Sequence, residues 1–303
     1  MLGRNLVEQW RTRHGDEGLT LLTREQGDLR DRAFTRTFIA EHAPDVIIHA
    51  AARVNGIAAK LAEPVTYLLE NLQLDTNVIE AAIDARVPRL VYVGTAAVYP
   101  EPYTRPNVES DLLTGTLESA NEGYALAKIA GIKLCEYASR QYGLTYRAIL
   151  PSNLYGVHDH YEASSAHMVA SAIKKVHEAM TQDSPEVLVW GDGTARREFA
   201  FAGDVATWII DQLDRVHEFP AWLNLGSGVD FSVAEYYEAA SRTVGFEGSL
   251  RFDTSKPAGV PRRLLDSSAA RSLGWNPTTT IDVGFAAVYA DYLARFDYSV
   301  RKP

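Results

Sequence analysis

Cysteine is nearly absent from this chain, with Cys135 alone among 303 residues. An internal disulfide is therefore excluded, and the usage suits a reducing cytoplasm. Cys135 falls in an apolar helical pattern, which points to core packing rather than reactivity. Basic residues are in the minority, 30 Lys and Arg against 39 Asp and Glu, for a formal net charge of -9. That balance argues against nucleic acid as a main partner, although a few local cations can still hold an anionic small molecule. No stretch reaches the roughly 18 apolar residues of a membrane span, and no secretory leader is visible. Histidines gather only at His158, His160 and His167, without a carboxylate-histidine pair at metal spacing, so no metal centre is expected. There is no internal repeat and no low-complexity tract. What remains, 46% apolar and 23% charged, is globular composition with chain enough for one large or two small domains.

The most informative stretch runs from Val91 to Lys128. The apolar, β-branched run Val91-Tyr92-Val93 ends in Gly94-Thr95, as a buried parallel strand ending at a site would. About thirty residues later come Tyr124 and Lys128, which share one face of a helix predicted over residues 124–142. A phenol is a weak acid at neutral pH, and a nearby ammonium favours its ionised form. With the Thr95 hydroxyl, such a pair can handle a proton at a carbonyl or alcohol while a nicotinamide handles a hydride. The plainer alternative is a surface tyrosine and a solvated lysine.

Periodicity predicts helices over residues 1–10, 32–42, 71–85, 171–180, 204–215, 233–244, 269–273 and 284–296. Strands are expected over 19–24, 45–51, 146–150, 187–190 and 222–225, with a long polar loop over 101–123. The turn Gly226-Ser227-Gly228 lacks the following glycine of a dinucleotide fingerprint.

Several motifs together resemble the extended short-chain dehydrogenase/reductases, and within them the GDP-L-fucose synthase family. They are Ala50-Ala51-Ala52-Arg53-Val54-Asn55-Gly56-Ile57, Tyr124 with Lys128, the run from Ala127 to Glu136, Pro151-Ser152-Asn153-Leu154-Tyr155-Gly156 and Val189-Trp190-Gly191. The resemblance covers nearly the whole chain. It implies an α/β fold: a Rossmann-like doubly wound parallel sheet over residues 1–156 that binds NADP. A smaller C-terminal α/β region, 157–303, would mainly bind substrate and send segments back to the first. The family's first strand and first two glycines have no counterpart ahead of Gly3, which matches the last glycine of its fingerprint. An upstream start and a shortened edge both remain open.

The resemblance assigns catalysis to Thr95, Tyr124, Lys128 and His167. It assigns the cofactor to Gly3, Arg24, Asp28, Leu29, Val93, Gly94, Thr95, Ala96, Lys128, Pro151, Ser152, Asn153, Leu154 and His167. Arg24 at the end of the second strand favours the 2′-phosphate of NADP over NAD, its alternative being a solvated loop charge. Lys175, Trp190 and Arg197 would hold the nucleotide sugar, the cations on its diphosphate and the indole against a flat ring. Asn71 would support the site, and Ala258 stands where the family has an acid. The family's epimerising cysteine falls at Ala97, whose methyl group cannot exchange a proton.

These readings converge on an NADP-dependent reductase acting at C4 of a nucleotide-linked 4-keto-6-deoxyhexose, cytoplasmic and homodimeric, with the epimerase step in question. The alternatives are a sugar-nucleotide-binding protein that no longer binds a dinucleotide, and a 4-ketoreductase of dTDP sugars.

Overall fold

A computed structural model describes residues 1–101, 105–162, 166–255 and 260–296, without the side chains of Ile57 and Ala58. The chain opens on α1 (Leu2–His14), whose Leu2 and Leu6 are buried. α2 (Arg32–His42) begins where the Asp31 carboxylate accepts hydrogen bonds from the amides of Ala33 and Phe34, a side-chain N-cap. The strand β1 (Val46–His49) follows, then the short α3 (Ile57–Ala62) and the long α4 (Pro64–Asp84). Pro64 sits in the first turn, where a missing amide proton costs nothing, so α4 starts seven residues before the predicted 71. After β2 (Arg89–Val93) the described residues of the predicted 101–123 loop include a short 3-10 turn, Glu109–Asp111, and α5 (Glu122–Tyr142) ends at Gly143 in the left-handed region.

Next come β3 (Thr145–Pro151), β4 (Asn153–Tyr155), α6 (Met168–Thr181), β5 (Glu186–Trp190), β6 (Arg196–Phe201) and α7 (Ala202–Asp211). The chain closes with β7 (Trp222–Leu225), β8 (Asp230–Ser232), α8 (Val233–Val244), β9 (Ser249–Asp253), β10 (Arg262–Arg263), α9 (Ser268–Ser272) and α10 (Ile281–Phe296). A reciprocal Ser232–Glu235 box caps α8, and this explains why the predicted bounds of that helix match the observed ones.

The main sheet is parallel, in the order β1-β2-β3-β7. Its side chains alternate between two cores. Leu90, Tyr92, Ala148 and Leu150 pack with Ile39, Val78, Ile79, Ile129 and Ile132 of α2, α4 and α5. Val91, Ile149 and Leu223 pack with Leu2, Leu6, Val205, Trp208 and Ala270 of α1, α7 and α9. Helices on both faces of a parallel sheet make this a Rossmann-like α/β fold, and covering both faces is why its strands read as nearly unbroken apolar runs. Residues after 156 return to that sheet through β7. They also join β4 in a small sheet β10-β6-β4 with β8 antiparallel on β6, and form a two-stranded β5-β9 ribbon and a third core among α6, α8 and α10.

One predicted strand is absent. Residues 19–24 run as irregular chain into a turn. Among the described residues β1 is the sheet's outermost strand and nothing pairs with this segment, so its apolar run lacks a ladder to join. Ala258 lies outside the described residues.

Gly131 sets the spacing of α5 on the sheet: a β-carbon there would come within 2.4 Å of the Tyr92 hydroxyl oxygen and 2.5 Å of Tyr92 Cζ. Gly3 is the opposite case, with nothing within 4 Å of its virtual β-carbon. Gly131→Ala should therefore lower stability in urea unfolding by about 1–3 kcal/mol through overpacking. Gly3→Ala should raise it by up to about 1 kcal/mol through backbone entropy. An unchanged midpoint for Gly131→Ala would refute the close-packed interface.

Candidate active site

The C-terminal ends of β1, β2 and β3 deliver Ala50, Gly94-Thr95 and Pro151-Ser152 to one edge of the parallel sheet. Gly94 is confined there, since a β-carbon would meet Leu150 Cδ2 at 2.5 Å. Thr95 caps the 3-10 turn Ala96–Val98, its hydroxyl accepting from the Ala97 amide at 3.2 Å. Thr95 stands close enough to the Tyr124 phenol to pull its pKa slightly down, so the strand end and the helix face meet as their spacing suggests. Ala97 is buried in the turn.

Tyr124 is 6% exposed and Lys128 1%, so neither is a surface residue. Burial first, then the Asp75 carboxylate, push the phenol well above the ordinary tyrosine range, against a smaller downward pull from Thr95. The Lys128 ammonium, expected to draw the phenol toward ionisation, also has partners of its own. Lys128 Nζ lies 3.4 Å from Asp75 Oδ1 and 3.3 Å from the Val93 carbonyl, 4.7 Å from the centroid of the Tyr92 ring. Asp75 also accepts from the Tyr92 hydroxyl at 2.5 Å and sits 2.8 Å from His49 Nε2. The charge that α5 presents is thus already matched inside the protein.

A different lysine covers the phenol. Lys60 Nζ lies 4.8 Å from the Tyr124 ring centroid and donates to Asn121 Oδ1 at 2.9 Å. Asn121 donates to Glu118 Oε2 at 2.6 Å, and Arg263 of β10 donates to the same oxygen at 2.6 Å. This buried chain ties α3 and the start of α5 to the small sheet, where Arg263 stands in register beside Arg197. Sequence spacing gives no hint of it, because Arg263 is 145 residues from Glu118. Asn71 is fully buried and holds the Arg53 backbone through both its amide and its carbonyl, fixing the loop after β1.

The other sequence-predicted residues divide. Gly3 lies within the first turn of α1, and Leu29 packs on the core of α2, α4 and α5. Arg24 is exposed in the turn after residue 22, while Asp28, also exposed, is paired with Arg30. Val93, Gly94 and Ala96 line the end of β2. Pro151 and Ser152 are buried at the end of β3, with Asn153 and Leu154 opening β4. The Ser152 hydroxyl is buried and finds no hydrogen-bond partner. His167 precedes α6, with Nδ1 2.8 Å from the buried Asp159 Oδ1. Lys175 and Trp190 come together, Nζ 5.6 Å from an indole ring that is 54% exposed. Arg197, in β6, donates to the carbonyl of Arg196 beside it at 2.8 Å.

Residues 1–226 match the model of the NAD dependent epimerase/dehydratase family. The chain belongs to that family. Among its members, the GDP-L-fucose synthase of Escherichia coli (strain K12) is 39% identical, covering 98% of this chain and 95% of that protein. A GDP-6-OMe-4-keto-L-xylo-heptose reductase from Campylobacter jejuni superposes with a TM-score of 0.90 at 28% identity, covering 97% and 95% of the two chains. A GDP-mannoheptose C4 reductase from Campylobacter jejuni with NADP bound superposes at 0.87 with 30% identity, covering 96% and 94%.

Burial brings the Lys60 ammonium down to about 8 from 10.5, with Glu118 opposing and Arg263 adding to the fall. The folded chain then releases this proton more readily than the unfolded one. Stability relative to Lys60→Met should therefore rise as pH climbs from about 8 toward 10.5. Paired urea titrations across that window check it, and parallel curves for the two proteins would overturn it.

Proposed function

We propose that this protein reduces the C4 carbonyl of a nucleotide-linked 4-keto-6-deoxyhexose, with NADP as its cofactor and a GDP sugar as its substrate. The observation that carries this reading is the buried Tyr124 phenol near Thr95 at the end of a parallel strand, where burial pushes its pKa up and favours the protonated form. A protonated phenol beside a hydroxyl suits a carbonyl that must accept a hydrogen bond and then a proton. The family match and the relatives named as GDP-sugar synthases and reductases support the substrate class.

The residues at the sheet edge fit a nicotinamide. The strand ends carry small residues, and the buried Ser152 hydroxyl is a polar group that a bound carboxamide would satisfy. NADPH, when bound, supplies the hydride that reaches C4. Val93, Gly94, Ala96, Pro151, Asn153 and Leu154 would enclose it together with Ser152. Gly3, Arg24, Asp28 and Leu29 would lie toward the adenosine and phosphates, and Lys128 and His167 would complete the contacts. Residues 1–156 form the cofactor-binding part in this reading, and 157–303 mainly the substrate part.

Thr95 orients the carbonyl oxygen at C4, and Tyr124 gives that oxygen its proton as the alcohol forms. Lys175 and Arg197 neutralise the diphosphate, and Trp190 offers its exposed face to the base or sugar. At C3 and C5, proton exchange would need a base where Ala97 offers only a methyl group. His167 alone cannot serve both as acid and as base on opposite faces.

Tyr124→Phe should lower kcat for NADPH-dependent reduction of GDP-4-keto-6-deoxymannose by roughly 10²–10⁴-fold while leaving NADPH affinity nearly unchanged. In deuterated water the wild-type product should carry no deuterium at C3 or C5. Turnover that survives in Tyr124→Phe would sink the assignment of the acid. Rapid exchange at both carbons would sink the reductase-only reading, and failure of a folded sample to bind NADPH would remove the cofactor.

The same reading includes a homodimer. Val65 and Leu69, one turn apart on α4, and Leu126 and Tyr137 on α5 are large apolar side chains left exposed on two helices that pack together. Light scattering should return twice the chain mass for the wild type and a lighter species for Val65→Asp/Leu69→Asp. A monomeric wild type at micromolar concentration would refute the pairing.

A further inference from the structure

We propose that Glu198 is a positioning residue: by holding the turn after β7 and the chain after β10 on one carboxylate, it fixes how far Arg197 stands from the sheet edge where the carbonyl is reduced. This inference deepens the reading of Arg197 as a diphosphate ligand and rests on it.

Glu198 follows Arg197 in β6, at the point where that strand changes partners. Residues 196–198 are laddered to β8 and residues 196–197 to β10, while residues 199–201 pair with β4. Glu198 is 1% exposed. Its Oε1 accepts from the Gly228 amide at 2.6 Å, with the Ser227 hydroxyl at 3.5 Å. Its Oε2 accepts from the Leu265 amide at 2.9 Å. One oxygen therefore serves the turn that leaves the main sheet, and the other serves the chain that leaves β10. A buried amide left without an acceptor is costly, so neither segment lifts away freely while the carboxylate is there.

The turn is fitted to this carboxylate. A β-carbon at Gly226 would come within 2.7 Å of both Cδ and Oε2 of Glu198. Gly226 is itself tied down, its amide donating to Ser267 Oγ at 2.8 Å and its carbonyl accepting from Trp275 Nε1 at 2.6 Å. Just before it, the Leu225 carbonyl accepts from the Ser152 amide at 3.1 Å, at the strand ends proposed for the nicotinamide. On the other side, Leu265 follows Arg263, which is in register with Arg197. The Arg197 carbonyl accepts from the Tyr236 hydroxyl of α8 at 3.0 Å. A continuous line of contacts thus runs from Ser152 through Leu225, Gly226 and Glu198 to Arg197. A diphosphate held at one end and a hexose carbon reduced at the other are joined by a fixed number of bonds. The distance between their two anchors has to be fixed as well. Lys175 and Trp190 stand on α6 and β5, outside the clamped strands, so the clamp reaches the substrate through Arg197.

The test is a double-mutant cycle read as the Kd of GDP-mannose, measured by calorimetry at pH 8. Burial pushes the Glu198 carboxyl up to about 7 against the pull of the Gly228 and Leu265 amides, with Asp230 adding to the rise, so at that pH it is mostly ionised. Glu198→Gln keeps the shape but offers one carbonyl acceptor, and its amino group then faces an amide donor. With the junction aligned about one-tenth of the time, GDP-mannose binds about tenfold more weakly. Arg197→Met should weaken binding at least as much. Glu198→Gln/Arg197→Met should then match Arg197→Met within about twofold, because Glu198 acts through the side chain already removed. A glutamate that only supports the fold gives losses that multiply, and multiplied losses overturn the proposal, as does unchanged binding in Glu198→Gln. Because Glu198→Gln can fail to fold, a second measurement uses the wild type alone. GDP-mannose should slow hydrogen exchange at the Gly228 and Leu265 amides together, since a clamp that aids binding is tightened by it in turn. Unaltered exchange at both overturns the proposal. A folded wild type that binds no GDP-mannose counts against the GDP-sugar reading, and the cycle is then run with dTDP-glucose, whose diphosphate Arg197 would meet equally. Binding of neither removes the role of Arg197 and the proposal with it.

Discussion

A carboxylate shut away from bulk solvent needs hydrogen-bond donors close at hand, and Asp75 finds three on three separate elements. The demand runs outward from there. His49 has to end β1 facing α4, Tyr92 has to cross from β2, and Lys128 has to lie on the buried face of α5. Each of these holds only if the parallel register of β1 on β2 is kept, with Ile48 opposite Val91 and His49 opposite Tyr92. Slipping that register by one residue would turn Tyr92 to the other face and leave Asp75 short of a donor. The polar centre and the apolar sheet are therefore not separate achievements of the sequence. The apolar alternation sets the register, and the polar centre penalises every other register.

Much of this architecture can be read from local pattern. Residues 32–42 and 233–244 announce themselves as helices because their caps are local, Asp31 in one case and the Ser232–Glu235 box in the other. Strands buried on both faces, such as 89–93, show as apolar runs whatever their partners are. Residues 19–24 mislead for the same reason in reverse. An apolar run states that a segment would suit a sheet, and only a neighbouring strand can make it one.

At the site, the spacing of Gly94-Thr95, Tyr124 and Lys128 finds the right end of the right strand and the right helix face. It does not find what each charge is paired with. Lys128 and Tyr124 one turn apart invite the idea that the ammonium serves the phenol, yet α4 supplies a carboxylate 53 residues earlier that claims the ammonium. Lys60 is equally invisible, because it reaches Tyr124 only after α3 folds back over the start of α5. Partnerships of this kind are long-range, and long-range partnerships are what sequence pattern encodes least.

The glycine at 131 acts as a notch for the whole of α5. The hydroxyl end of Tyr92 occupies the space where a side chain would be, so the helix can neither slide along the sheet nor turn on its own axis without lifting off it. Tyr124 lies seven residues away, roughly 10 Å along the helix axis. A position that touches no substrate thereby fixes the height at which the phenol oxygen stands above the strand end. Variation at 131 would change the alignment of the reacting atoms before it changed any group that meets them. An insertion or deletion between 124 and 131 would be felt at the reaction centre as a rotation of about 100° per residue rather than as a lost contact.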